Sequence, residues 1–270
     1  MVRAASFLRW AFILAALIFI LLPTIIIIPL SFNDRSYFVF PPDRYSLRWY
    51  YDFFQSPDWM TSLWASLRIG IAAAIITTLC GTALAFYSER SDSRLARVAS
   101  IAVLGPAIVP VIVLAIGAFD VFARLDLLYS ELSIILMHSV LALPFVFLVV
   151  RARIGDLDPN IEAAAMTLGA TRSEALRLVV LPQVAPSLVA ASVLGFIISF
   201  DEVVVTNFLA GGDLVTLPVR MFSYITTTIR PTVAAISVLF LLLTGGLLFV
   251  FFSIGQGGRR PRRRPSSGDA

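Results

Sequence analysis

The chain is dominated by apolar runs longer than a soluble fold uses, at about residues 10–30, 63–88, 98–119, 132–150, 183–208 and 232–254. Crossing roughly 30 Å of hydrocarbon at about 1.5 Å per helical residue takes about 20 apolar residues. Each run approaches or exceeds that length. Overall 59% of residues are hydrophobic and 14% charged, against roughly half and a quarter in soluble domains. The pattern predicts an all-α integral membrane protein with about six transmembrane helices. Residues 1–258 form the expected membrane domain, and 259–270 an Arg-rich, disordered tail.

Arg3 and Arg9 precede the first run. A secretory signal has the same polarity, but its apolar region is usually about 7–15 residues. No small-x-small cleavage site follows here, so an uncleaved helix is expected, bent or ended by Pro23 and Pro29. Residues 31–60 mix aromatics such as Tyr37, Trp49 and Trp59 with Asp34, Asp43, Asp52 and Asp58, a composition suited to a membrane–water interface. Gly105, Pro106 and Pro110 interrupt the third run. Prolines survive in membrane helices when neighbours or water satisfy the freed carbonyls.

Arginines set the expected orientation, because cytoplasmic flanks collect them. Arg3 and Arg9, then Arg90, Arg94 and Arg97, then Arg151, Arg153, Arg172 and Arg177 fall on alternate segments, as does the tail. Both termini are therefore expected in the cytoplasm. The tail residues Arg259, Arg260, Arg262, Arg263 and Arg264 read as an anchor to anionic lipid, worth about 1 kcal/mol per Arg, rather than as a nucleic-acid element.

Lysine is absent, and all 21 basic residues are arginine. A G-x-x-x-x-G-K-[ST] phosphate loop is impossible, and so is Schiff-base chemistry on a lysine. If ATP powers this chain, another polypeptide must hydrolyse it. The lone Cys80 cannot form an internal disulfide and reads as a small packing residue. His138 reads as a hydrogen-bonded core histidine, because no cluster with metal-ligand spacing accompanies it. Ser139 adjoins it, but adjacent helical residues face different ways and no serine-nucleophile motif is visible. The chain is not expected to be an enzyme by itself.

Residues 151–182 read as a structured loop. Asp158 and Pro159 suit an N-cap and a first helical turn. A short helix can run to Leu168, with Gly169 as its left-handed stop. Thr171-x-x-Glu174 is a capping box for a second helix, and Pro182 marks its end or the entry to the fifth span. Ala163, Ala164 and Ala165 allow close approach, while Met166, Leu168, Leu176 and Val179 make the loop partly apolar. Such a knob suits docking onto a partner; a loop packed only on its own bundle is the alternative.

The same segment resembles the cytoplasmic signature of ABC importer permeases: Glu-Ala-Ala, three residues, Gly, nine residues, Ile, one residue, Leu-Pro. Anchored on Gly169, the frame places Val179 at the Ile position and ends on Leu181-Pro182. It places Ala163 at the first position, with Glu162 one residue earlier. Ser31-Phe32-Asn33, Gly81-Thr82-x-Leu84-Ala85, Leu143-Pro144-Phe145, Ser199-Phe200-Asp201-Glu202-Val203-Val204-Val205 and Thr216-Leu217-Pro218-Val219 extend the resemblance over nearly the whole chain. Together they are similar to the C-type permease subunits of spermidine/putrescine importers. The resemblance implies a type I importer fold in a bacterial inner membrane. It further implies a second, related permease, an extracytoplasmic substrate-binding protein, and a dimer of ATP-binding subunits that hold ATP and Mg. The ATPase-coupling residues would be Glu162, Ala163, Ala164, Ala165, Gly169, Val179, Leu181 and Pro182.

Asp201 and Glu202 fall inside the fifth run. A carboxylate at a membrane-helix centre costs about 2.5–3.5 kcal/mol, so such groups face a cavity or a partner. One reading is a structural pair neutralised by Arg220 or Arg230. The other is a transient site for a cationic solute, led by Asp201, with Phe196, Phe200 or Tyr224 adding cation–π contact. Related permeases carry opines, aminoethylphosphonate, ferric iron or amino acids, which path residues alone do not separate. A stand-alone secondary transporter would be expected to show internal repeats, and none is obvious.

Overall fold

The computed structural model describes residues 2–158, 160–212, 214–227 and 230–256. Among these residues the chain is helical without strands. Five helices are long and apolar enough to cross a membrane, or six if one bent pair counts as a single span. The expected tail, like Pro159, lies outside the described residues. The fold divides into two compact units, Met1–Trp64 with Val219–Thr244, and Ala65–Pro218 with Gly245–Ala270.

In the first unit, α1 (Val2–Ser31) runs through Pro23 and stops two residues after Pro29. The stop is chemical. Ser31 Oγ donates to the Ile28 carbonyl at 2.6 Å and shares a hydrogen bond with Tyr50 Oη at 2.7 Å. The next turn is organised by Asn33, which is fully buried. Its Nδ2 donates to the Tyr37 carbonyl, its Oδ1 accepts from the Arg35 N–H, and its carbonyl accepts from Trp49 Nε1 at 2.6 Å. A buried amide satisfied on all sides holds a loop that hydropathy alone would leave loose.

Helix α2 (Arg48–Gln55) buries Trp49 and Phe53. Phe53 meets Trp59, and Trp59 packs on Tyr224 of α12 (Leu217–Thr227) at 4.7 Å between ring centroids. Arg220 donates to Ser62 Oγ at 2.6 Å and lies 3.8 Å from Asp58. Helix α13 (Thr232–Gln256) buries Val233 to Ile236.

Helix α3 (Pro57–Arg90) is 34 residues long and passes from the first unit into the second. It starts earlier than the expected 63 because Pro57 and Asp58 suit a helical first turn. The third expected span is not one rod. Ser93 caps α4 (Arg94–Ala102), α5 (Gly105–Ile108) follows, and the path then turns by 107° into α6 (Val111–Arg124). Val109 is extended before Pro110, as the clash with the proline ring requires.

Helices α7 (Glu131–Gly155) and α10 (Leu181–Phe200) form the main helix pair of the second unit, with α3 against them. Lipid offers no hydrophobic drive between helices, so close packing of small residues must supply cohesion. A Cβ on Gly81 would sit 3.0 Å from Val146 Cγ1, and one on Gly195 3.3 Å from Val146 Cγ2. By contrast, a Cβ on Gly117 in α6 would meet nothing within 4 Å. Gly195→Val is therefore expected to lower the thermal midpoint of the solubilised protein by several degrees, at about 1–3 kcal/mol for overpacking. Gly117→Ala should hold or raise it by up to about 1 kcal/mol. Thermal unfolding of the two variants in one detergent checks both.

Candidate functional site

Two regions gather the polar chemistry of the second unit. The first is a break in the fifth span. The apolar run continues to residue 208, but α10 ends at Phe200 and α11 (Val204–Leu209) begins after a three-residue interruption. Asp201 and Glu202 thus do not sit on one continuous helix, as the sequence suggested. Glu202 makes the break possible. Its Oε1 accepts from the Val204 and Val205 N–H groups and its Oε2 from that of Thr206, all at 3.0 Å. Orphan N–H groups at a helix start must find acceptors, and this carboxylate provides them.

His138 on α7 closes the same network at 1% exposure. Its Nδ1 lies 2.8 Å from Ser199 Oγ and its Nε2 2.9 Å from Thr206 Oγ1. The Thr206 hydroxyl donates to the Glu202 carbonyl at 3.3 Å, which leaves it to accept from Nε2–H. Nδ1 faces the Ser199 hydroxyl. Nε2 also lies 3.6 Å from Glu202 Oε2. The expected core histidine is found, with every ring nitrogen used.

Asp201 differs from its neighbour. It is exposed, and its carboxylate has no hydrogen bond or ion pair among the described residues. Phe196 stacks on Phe200 at 5.2 Å, one turn before the break. Phe200 is buried at 3% exposure, whereas Phe196 is half-buried beside Gly70. Asp201 and Glu202 follow Phe200 directly, and Phe196 is joined to them through its stack on Phe200. Tyr224 belongs to the first unit, against Trp59. The suggested counter-ion Arg220 is engaged by Ser62 and Asp58.

The second region is the loop. Helix α8 (Asn160–Thr167) begins beside Asp158, whose Oδ1 accepts from the Asn160 N–H at 2.9 Å. It ends on a Schellman motif: Gly169 at φ +96° donates to the Met166 carbonyl, and Ala170 to that of Ala165. The Thr171–Glu174 capping box then opens α9 (Arg172–Ala175). One helix was expected from there to Pro182. Instead, a π-helical turn at Leu176–Val180 leads directly into α10, with Pro182 in its first turn. The proline has no N–H to continue the helical ladder, and it falls just after the π-helical turn.

Ala163 and Ala164 are exposed, and Leu168 is 90% exposed beside them. Val179 and Leu181 are half-buried against the bundle. Glu162 forms a fork with Arg90 and lies 3.6 Å from Arg172. Sequence reading missed Ser199, Thr206 and Arg90. A glutamate two to four residues before Val204, Val205 and Thr206 was the available signal for the cap.

Residues 70–256 match the family described as binding-protein-dependent transport system inner membrane component. The chain is 30% identical over 244 residues to the spermidine/putrescine transport system permease protein PotC of Haemophilus influenzae, covering 90% of this chain and 94% of that protein. It is 26% identical to the putrescine transport system permease protein PotI of Escherichia coli, covering 95% and 93%. Among solved structures, a bacterial ABC transporter involved in alginate import superposes with a TM-score of 0.71 at 16% identity, covering 93% and 96%. The MetNI methionine ABC transporter gives 0.61 at 20% identity, covering 76% and 100%. The fold is that of an ABC transporter permease. This chain is a multi-pass membrane component of a transport system, and it belongs to the binding-protein-dependent transport system inner membrane component family.

Proposed function

We propose that this chain is one permease subunit of an ATP-driven importer that carries a polyamine across a bacterial inner membrane. The observation that carries this reading is the 30% identity to a spermidine/putrescine permease over nine-tenths of the chain. In this reading both termini lie in the cytoplasm. A second, related permease completes the path, and a dimer of ATP-binding subunits holds ATP and Mg. An extracytoplasmic binding protein delivers the solute, and the lipid bilayer surrounds the bundle.

The Asp201 carboxylate, unpaired among the described residues, supports a cationic solute. It stands at a helix break with the half-exposed Phe196 ring one turn away, and carboxylates and aromatic faces both attract ammonium groups. Such a site serves passage by binding weakly, so strong recognition belongs to the binding protein. The α8–α9 loop would meet the ATPase. Its exposed Ala163, Ala164, Met166 and Leu168 give it an apolar docking surface.

The co-expressed complex in lipid vesicles is expected to hydrolyse ATP faster when its binding protein is loaded with spermidine or putrescine. An assembled ATPase that ignores both would remove the polyamine and leave the importer. Asp201→Asn should lower uptake about tenfold while assembly holds, whereas Glu202→Gln should also lower thermal stability, because it weakens a three-bond cap. Equal loss of uptake and assembly in Asp201→Asn would assign that residue to structure. Gly169→Val forces a β-branched residue into the left-handed region, at about 1–3 kcal/mol. It should uncouple ATP hydrolysis from uptake, while Gly169→Asn, which tolerates that backbone, should retain most coupling.

A further inference from the structure

Helix α8 buries none of its residues. A cleft of about 310 Å³ lies beside it, lined by Ile154, Leu157, Ile161 and Val180, with Arg90 and Glu162 at its polar edge. Its packing is partial, through the half-buried Ile161 and Ala165. The fork between Glu162 and Arg90 adds a charged tie to α3. Arg90 Nη2 meets Glu162 Oε2 at 2.5 Å and Nη1 meets Oε1 at 3.4 Å, with the two side chains only 26% and 22% exposed. The Arg90 guanidinium also rests over the Phe86 ring at 5.1 Å, which restrains it further. A bidentate, charge-assisted pair has a defined geometry as well as strength. A fork between two preset groups can push as well as hold.

Arg90 is the last residue of α3. Its neighbour Glu89 accepts from Arg151 Nε of α7 at 2.7 Å. The inner end of α3 is thus clamped to α7 by one residue and to α8 by the next. We propose that Glu162 and Arg90 form a strut that transmits displacement of the α8 loop to α3, making Glu162 a positioning residue within this chain. This rests on the reading that an ATPase subunit moves the loop. It differs from a role in which Glu162 reaches into the ATPase itself, because there Arg90 would be dispensable.

The lone cysteine supplies a reporter. Cys80 is exposed on α3, ten residues before Arg90, and can carry a bimane label in a complex with cysteine-free partner subunits in lipid nanodiscs. The readout is the change in emission on adding ATP and vanadate, which does not depend on the solute carried. Wild type is expected to give a change, and Arg90→Gln and Glu162→Gln each to reduce it about fivefold with the ATPase still bound. The exchange Arg90→Glu with Glu162→Arg should restore it. That exchange is made together with Arg172→Gln, because the Arg172 guanidinium would otherwise face its like. A change lost in Glu162→Gln but kept in Arg90→Gln would place the partner of Glu162 outside this chain and overturn the strut. So would a change that survives both substitutions, or none in a wild-type complex that hydrolyses ATP. A complex that hydrolyses no ATP would overturn the importer reading as well.

Discussion

Val146 is wedged between two glycines on two different helices, and the second unit depends on that contact. One of its methyls faces Gly81 of α3 and the other Gly195 of α10, with the Ala74 backbone behind Gly195. Nothing in a lipid environment pushes apolar helices together. Cohesion comes from surfaces that fit, and a valine between two missing side chains fits closely. That approach sets the separation at which His138 of α7 meets Ser199 of α10 at 2.8 Å. Toward the other end of the same pair, Arg153 of α7 forks onto the Gln183 carbonyl of α10 at 3.0 and 3.1 Å. Small residues at the middle and polar bonds on either side hold α7 and α10 together.

Close packing makes the breaks in this unit meaningful. An opened helix at membrane depth exposes N–H and C=O groups that hydrocarbon cannot satisfy. The two breaks in this unit solve that problem differently. At Pro110 the incoming residue has no N–H to satisfy, and its carbonyl accepts from Val113 and Leu114. At Asp201–Val203 the acceptors are the two oxygens of Glu202. The second solution brings a carboxylate into the span and then needs His138 beside it. Asp201 beside it has no hydrogen bond or ion pair among the described residues. The two adjacent acidic residues therefore have opposite characters: Glu202 is consumed by the backbone, and Asp201 is exposed.

How much of this was legible in the sequence divides along the range of the forces involved. The spans follow from length and hydropathy, and the Gly169 stop and Thr171–Glu174 box from local backbone chemistry. Each is decided within a few residues. The break after Phe200 was hidden, because hydropathy runs on to residue 208 and only the N–H groups of Val204, Val205 and Thr206 reveal what Glu202 does. The π-helical turn at Leu176–Val180 has no signal in a capping pattern. Arg90 could not be paired with Glu162 across 72 positions by any spacing rule.

The exclusive use of arginine takes on a structural sense at the end of α3. Arg90 and Arg151 each lie over an aromatic ring, Phe86 and Phe147, while also reaching a carboxylate, Glu162 and Glu89. A planar guanidinium can stack and fork at once, whereas an ammonium offers one hydrated point of charge. Glu89 and Arg90 are consecutive and of opposite sign, and on a helix consecutive residues diverge by about 100°. The last turn of α3 therefore reaches toward α7 with an acid and toward α8 with a base, and neither pair competes with the other. A helix end built in this way joins α3 to α7 and to α8 through separate ion pairs.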